Sequence, residues 1–191
     1  MNPAKKSIIR EWVESIVIAF VLAMIIRTFV VEPFKIPTGS MRPTLLEGDI
    51  ILVNKFIYGA KIPFIDFRLP TVKPPKRGDV IVFIYPEDPK KDFIKRLIAT
   101  EGETVEIRNG RIYINDEPLL EPLFSQREYY NKGKFGKEGL KILVPKDSYF
   151  VLGDNSSSSQ DSRYWGFVPR KNILGEAILI YWPPQRIRIV K

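Results

Sequence analysis

The chain has 191 residues, room for one globular domain and a short appendage, and 45% of them are apolar, enough for a core. It contains no histidine and no cysteine, which excludes the Ser-His-Asp triad, the Cys-His pair, the HExxH zinc site and every Cys/His zinc cluster. The formal net charge of +8 fits, in falling order, plain solubility, an anionic lipid surface and nucleic acid, because the lysines are scattered and form no dense basic block.

Trp12 to Val31 reads WVESIVIAFVLAMIIRTFVV, preceded by Lys5, Lys6 and Arg10. Crossing the hydrocarbon core takes about 20 largely apolar residues, a length reached here with Glu14 and Arg27 near the two ends, where their side chains can snorkel. The uninterrupted apolar run, Ile16 to Ile26, also has the length of a signal-peptide core. No small-residue cleavage site follows, however, and apolar residues lie all round the helix, so an uncleaved anchor is expected over a removable leader or a buried amphipathic helix. Basic residues flank both ends, so counting charges leaves the orientation open.

Next comes PTGSMRPTL, Pro37 to Leu45, where Ser40 follows a glycine between two prolines that hold the loop extended. A nucleophile needs its oxygen free of secondary-structure duties, and the Thr38 hydroxyl could join the Ser40 N–H as an oxyanion donor. A turn merely capped by Ser and Thr has the same composition. Beyond residue 32 the pattern is short and extended. DIILVNKF (Asp49 to Phe56), DVIVFIYP (Asp79 to Pro86), FIKRLIA (Phe93 to Ala99) and AILIYW (Ala177 to Trp182) are rich in β-branched and aromatic residues. Sixteen prolines and twelve glycines supply the turns.

Within Asp92 to Ala99, alternation puts Phe93, Lys95, Leu97 and Ala99 on one face and Ile94, Arg96 and Ile98 on the other. Both faces carry apolar residues, so Lys95, Arg96 or both must pass through apolar surroundings. Burial disfavours an ammonium, and a neutral lysine can take a serine proton near neutral pH. A strand lysine pointing into water is the commoner case, but in a chain without histidine lysine is the natural base. VEIRNGRIYIN predicts a hairpin, its Asn109-Gly110 pair supplying the positive φ angles of a type I′ turn. The polar stretch from Glu121 to Leu140 predicts a mobile excursion from the sheet.

GDNSSSSQDSRYWGFVP, Gly153 to Pro169, predicts an ordered loop, since Tyr164, Trp165 and Phe167 are costly to expose together. Asp161 and Arg163 stand two apart. Arg96 is a candidate partner for Asp161, bracing the strand of Lys95, and a hydroxyl of the serine run could hold the lysine amine in line.

PTGSMRPTL, GDIILVNK, KRGDVIVFIYP, FIKRLIATEGE and GDNSSSSQDSRYWGFVP follow one another in the order, and with roughly the spacing, of the sequence boxes of bacterial type I signal peptidases. The chain resembles that family from the anchor to the GFVP box. The resemblance implies a mainly β fold: a single N-terminal transmembrane helix, then antiparallel, barrel-like β-sheets with a β-hairpin insertion. Residues 1–11 would be a cytoplasmic tail, 12–31 the anchor and 32–191 the extracytoplasmic catalytic domain, with the variable insertion near 100–148.

It further implies that Ser40 is the nucleophile, Lys95 the general base and later the acid for the departing amine, and Thr38 with the Ser40 N–H the oxyanion hole. Ser159 matches the serine that positions the lysine, and Asp161, Arg163, Arg96 and Asp154 match supporting charges. The serine run departs from the commonest form of its box at Ser156 to Ser158 and Gln160. Phe34, Ile36, Met41, Leu45, Phe93 and Ile94 match pocket-lining positions for small residues at −1 and −3 of a signal peptide. The partners implied are signal-peptide-bearing preproteins and the phospholipid bilayer of the bacterial cytoplasmic membrane, with no cofactor, metal or nucleic acid. A soluble Ser-Lys autoprotease would carry a DNA-binding headpiece in place of the anchor. An inactive scaffold would lack Ser40 or Lys95, and a tethered nucleic-acid binder would not explain the order of the boxes.

Overall fold

Ile8–Phe29 forms one helix, α1, of 22 residues, about 33 Å long at 1.5 Å per residue. None of its residues is buried against the rest of the chain. The structure, a computed structural model, describes residues 8–59 and 67–190; the expected basic tail residues Lys5 and Lys6 lie outside them. The helix starts four residues before the expected Trp12 and stops at Phe29. It ends where Val31–Lys35 becomes strand β1. Pro33 favours extended backbone at Glu32 before it and cannot continue a helical hydrogen-bond ladder.

Strands β2 (Ile50–Asn54), β3 (Val80–Ile84), β4 (Asp92–Ala99), β5 (Thr104–Arg108), β6 (Arg111–Ile114), β7 (Glu117–Pro118), β8 (Ile142–Leu143), β9 (Ser148–Leu152), β10 (Val168–Pro169), β11 (Ile173–Trp182) and β12 (Arg188–Ile189) follow in chain order. The larger sheet runs β1-β2-β11-β3-β4-β9-β10, with β12 added to β11, and the smaller runs β7-β6-β5-β8. Every pairing is antiparallel. Asn109 and Gly110 have φ of 50° and 73° and join Arg108 to Arg111, the expected hairpin.

The antiparallel, mainly β fold is as expected, and the sheets form no closed barrel among the described residues. Among the described residues the large sheet is open, ending on β1 at one side and β10 at the other. Both ends carry a proline, Pro33 and Pro169, which lacks the N–H that a further ladder would need. The excursion also differs from its expectation. Phe124 and Tyr129 are buried in the core, and Asn131 Nδ2 donates to Ile107 O (2.9 Å) and Gly136 O (3.0 Å). Two aromatic anchors thus hold a polar stretch down as a strap.

Three apolar clusters meet at β4. Ile98 and Ala99 join the cluster under the smaller sheet. Ile94 packs on the cluster of Ile36, Met41, Leu45, Val80 and Val82, and Leu97, with Phe93 against it, belongs to that of Ile81, Phe83 and Val151. With protein on both faces, β4 offers water no side for its two cations.

Candidate active site

Lys95 and Arg96, adjacent on β4, are 4% and 0% exposed. Among the described residues the Lys95 ammonium has no carboxylate in hydrogen-bond contact. Its Nζ donates to Ser40 Oγ at 2.8 Å and to its neighbour's carbonyl, Ile94 O, at 2.9 Å, and lies 5.3 Å from the centre of the Phe93 ring. Burial pushes its pKa down from 10.5 to about 8, against the opposing pull of the Asp161 and Asp154 charges.

Ser40 sits in a single 3-10 turn, Gly39–Met41, and is buried. Asn155 fixes this turn twice: its backbone N–H donates to Ser40 O (3.0 Å) and its Nδ2 to Gly39 O (3.1 Å). The two loops meet at Gly153, where an added Cβ would stand 2.5 Å from Ser40 O and 2.2 Å from Ser159 Oγ. Only glycine fits there. The Gly39 side is not open space either, since a Cβ there would meet Glu47 Oε1 at 2.8 Å.

Arg96 is braced differently. Its Nε and Nη2 grip both oxygens of buried Asp154 at 2.7 and 2.6 Å, and its Nη1 donates to Gly78 O at 2.7 Å. Thr44 Oγ1 donates to the same carboxylate, and Arg127, reaching in from the strap, adds a contact at 3.3 Å. The expected pairing of Arg96 with Asp161 is therefore corrected. Asp161 takes Arg163 through two contacts of 2.7 and 2.8 Å, and its Oδ2 accepts from Gly153 N at 3.0 Å. Asp161 also caps the short helix Ser162–Trp165 by accepting from Arg163 N. That geometry keeps residue and partner local, and leaves Arg96 to the carboxylate 58 positions away.

The remaining expected residues are placed unevenly. Ser159 is buried, but its Oγ has no hydrogen-bond partner; the amine's second bond goes to Ile94 O instead. Thr38 is exposed with extended backbone and makes no capping bond. Met41 and Leu45 are fully buried and form the floor below Ser40, with Ile36 beside them. Phe34 and Ile94 are half-buried against that cluster, and half-buried Phe93 stacks on Tyr85 at 4.3 Å. Sequence reasoning passed over Asn155, Thr44 and Arg127. The first two stand inside the motifs already quoted, where a polar residue between functional ones is a findable signal. Arg127 lies in a polar stretch with no pattern to mark it.

With this geometry in view, the comparisons give the family. The chain belongs to the signal peptidase family, peptidase S26, matched over residues 9–182. It is similar to a signal peptidase I of Leptolyngbya laminosa, 40% identical over 97% of this chain and 86% of that protein. A probable signal peptidase I-1 of Synechocystis is 38% identical over 96% and 88%, and a signal peptidase I of Pseudomonas aeruginosa is 34% identical over 96% and 76%. A solved signal peptidase I from Enterococcus faecalis V583 shares 35% identity and covers 55% of this chain and 97% of its own, with a TM-score of 0.45. The chain is thus a peptidase, as its motifs led one to expect, and its apolar N-terminal helix fits a membrane-anchored protein.

Proposed function

We propose that the chain removes signal peptides from exported preproteins at the bacterial cytoplasmic membrane, with Ser40 as nucleophile and Lys95 as general base. The observation that carries this reading is the 2.8 Å contact between a serine hydroxyl and a lysine amine that are both buried. When the amine is neutral, one N–H remains on Ile94 O and the lone pair turns to Ser40, accepting the hydroxyl proton as Oγ attacks the scissile carbonyl. Lys95 then returns that proton to the departing amine, and activates water for deacylation in the same way. The Ser40 N–H and the Thr38 hydroxyl receive the developing oxyanion.

Around this pair, Asp154 with Arg96, and Asp161 with Arg163, act as braces, and Ser159 supports the amine's orientation. Phe34, Ile36, Met41, Leu45, Phe93 and Ile94 shape shallow pockets for small residues at −1 and −3. The outer edge of β1, unpaired among the described residues, gives an extended substrate backbone groups to pair with on either side of Pro33. Helix α1 spans the bilayer with its N-terminus in the cytoplasm, and exposed Trp182, Ile187 and Ile189 give the domain an apolar rim at the lipid surface. The test is cleavage of a preprotein by the full chain in detergent. Ser40→Ala and Lys95→Met are each expected to lose about a thousandfold or more in kcat; full activity in either variant sinks the assignment.

A further inference from the structure

A second site lies behind the dyad. A cavity of about 390 Å³ is lined by Pro43, Thr44, Arg127, Arg188, Ile189 and Val190, with no carboxylate side chain among these described residues. Two guanidiniums converge there on one residue: Arg127 Nη2 donates to Thr44 Oγ1 at 3.1 Å and Arg188 Nη2 to Thr44 O at 2.7 Å. Like charges so close repel unless an anion joins them. The nearby carboxylates are already engaged. Asp154 is gripped by Arg96 and touches Arg127 only at 3.3 Å, while Asp49, within electrostatic reach of Arg188, is gripped by Arg186 at 2.7 and 2.8 Å. Arg127 therefore shares Asp154 with Arg96, and Arg188 forms no ion pair among the described residues. Among the described residues the buried Arg127 Nε has no hydrogen-bond partner, a costly state for a charged donor.

We infer that Arg127 and Arg188 form a binding site for a phosphate-class oxyanion. Planar guanidinium forks match phosphate oxygens in pairs. Ile189 on the cavity wall and Ile187 two residues away are 67% and 58% exposed, so the phosphate can be carried by a lipid or arrive free in solution. The site is separate from the dyad. Lys95 lies opposite Ile81 in the β3–β4 ladder and Arg96 opposite Val80, so consecutive side chains leave β4 by opposite faces, and the cavity residues Thr44 and Arg127 touch the Arg96 side, through Asp154. A bound anion would clamp the strap and the C-terminal strand onto the loop that follows Ser40. This inference stands independently of the assignment of Ser40 and Lys95.

The test is thermal unfolding of the full chain in a neutral detergent, titrating inorganic phosphate against chloride at constant ionic strength. A saturable rise in Tm of roughly 2–5 °C is expected for the wild type, and no such rise in Arg127→Gln or Arg188→Gln. The phosphate-induced change within each variant is read, so a lower starting Tm does not obscure it. Arg188→Gln is expected to keep its peptidase activity. A soluble short-chain phosphatidylglycerol, titrated likewise, separates the sources. Binding tenfold tighter than inorganic phosphate marks a lipid headgroup site and equal binding a site for free phosphate, and either supports the inference. An equal rise with chloride, or a rise that survives both substitutions, overturns it.

Discussion

Two adjacent cations on β4 show what the same burial does with and without a counter-charge. Arg96 is enclosed with Asp154, gripped through both oxygens, and stays a charged brace. Lys95, equally enclosed, meets a hydroxyl and a carbonyl, so desolvation outweighs the more distant Asp161 and Asp154 charges and its pKa falls to about 8. The acids that could restore it, Asp154 and Asp161, act from a distance because each is held by an arginine. Tying each carboxylate to an arginine leaves the Lys95 amine to a hydroxyl and a carbonyl.

The largest effect expected from breaking this comparison comes from the Arg96 side. Arg96→Ala leaves the Asp154 carboxylate buried with a single weak cation contact, and should cost about 3–5 kcal/mol of stability, read by denaturant unfolding at neutral pH, with activity falling alongside. An unchanged midpoint would mean that Asp154 is not held as described.

The opposite sign is expected one residue earlier. The folded pKa of Lys95, about 8, lies below its ordinary 10.5, so the unfolded chain binds the extra proton between those values. Stability therefore carries its full penalty below pH 8 and recovers as pH rises toward 10.5. Lys95→Met removes that penalty and should stabilise the fold near neutral pH by about 1–3 kcal/mol, a gain that shrinks toward pH 10.5. A destabilised variant would contradict an unpaired, strained amine.

The smallest effect sharpens the role of Ser159. Its hydroxyl is buried and unpartnered, so Ser159→Ala should change stability by less than about 1 kcal/mol while lowering kcat about tenfold or more. Unaltered kcat would reduce it to a packing residue beside Gly153.

Much of this was legible in the residues. The β-branched runs and the Asn109-Gly110 turn specify strands and a hairpin through local sterics, and apolar residues on both faces of β4 already imply that at least one of its cations passes through apolar surroundings. Without histidine, lysine is the natural base for a serine nucleophile. What alternation does not encode is the partner of each cation, because Asp154 and Asp161 come from a loop whose path depends on the whole sheet. That is why Arg96 was matched to the wrong acid. Whether the large sheet closes is not legible for a similar reason, since it turns on how the two outermost strands lie. The strap was read as mobile because two buried aromatics, Phe124 and Tyr129, are diluted among polar neighbours. Arg127 owes its place to that strap.

The most direct measurement is the pH dependence of kcat/KM on a preprotein substrate, which reports the free enzyme's essential base. Activity should climb tenfold per pH unit at low pH and level off with a midpoint near 8. A midpoint near 10.5, the value of an ordinary lysine, or a flat profile, would show that no desolvated amine drives the reaction.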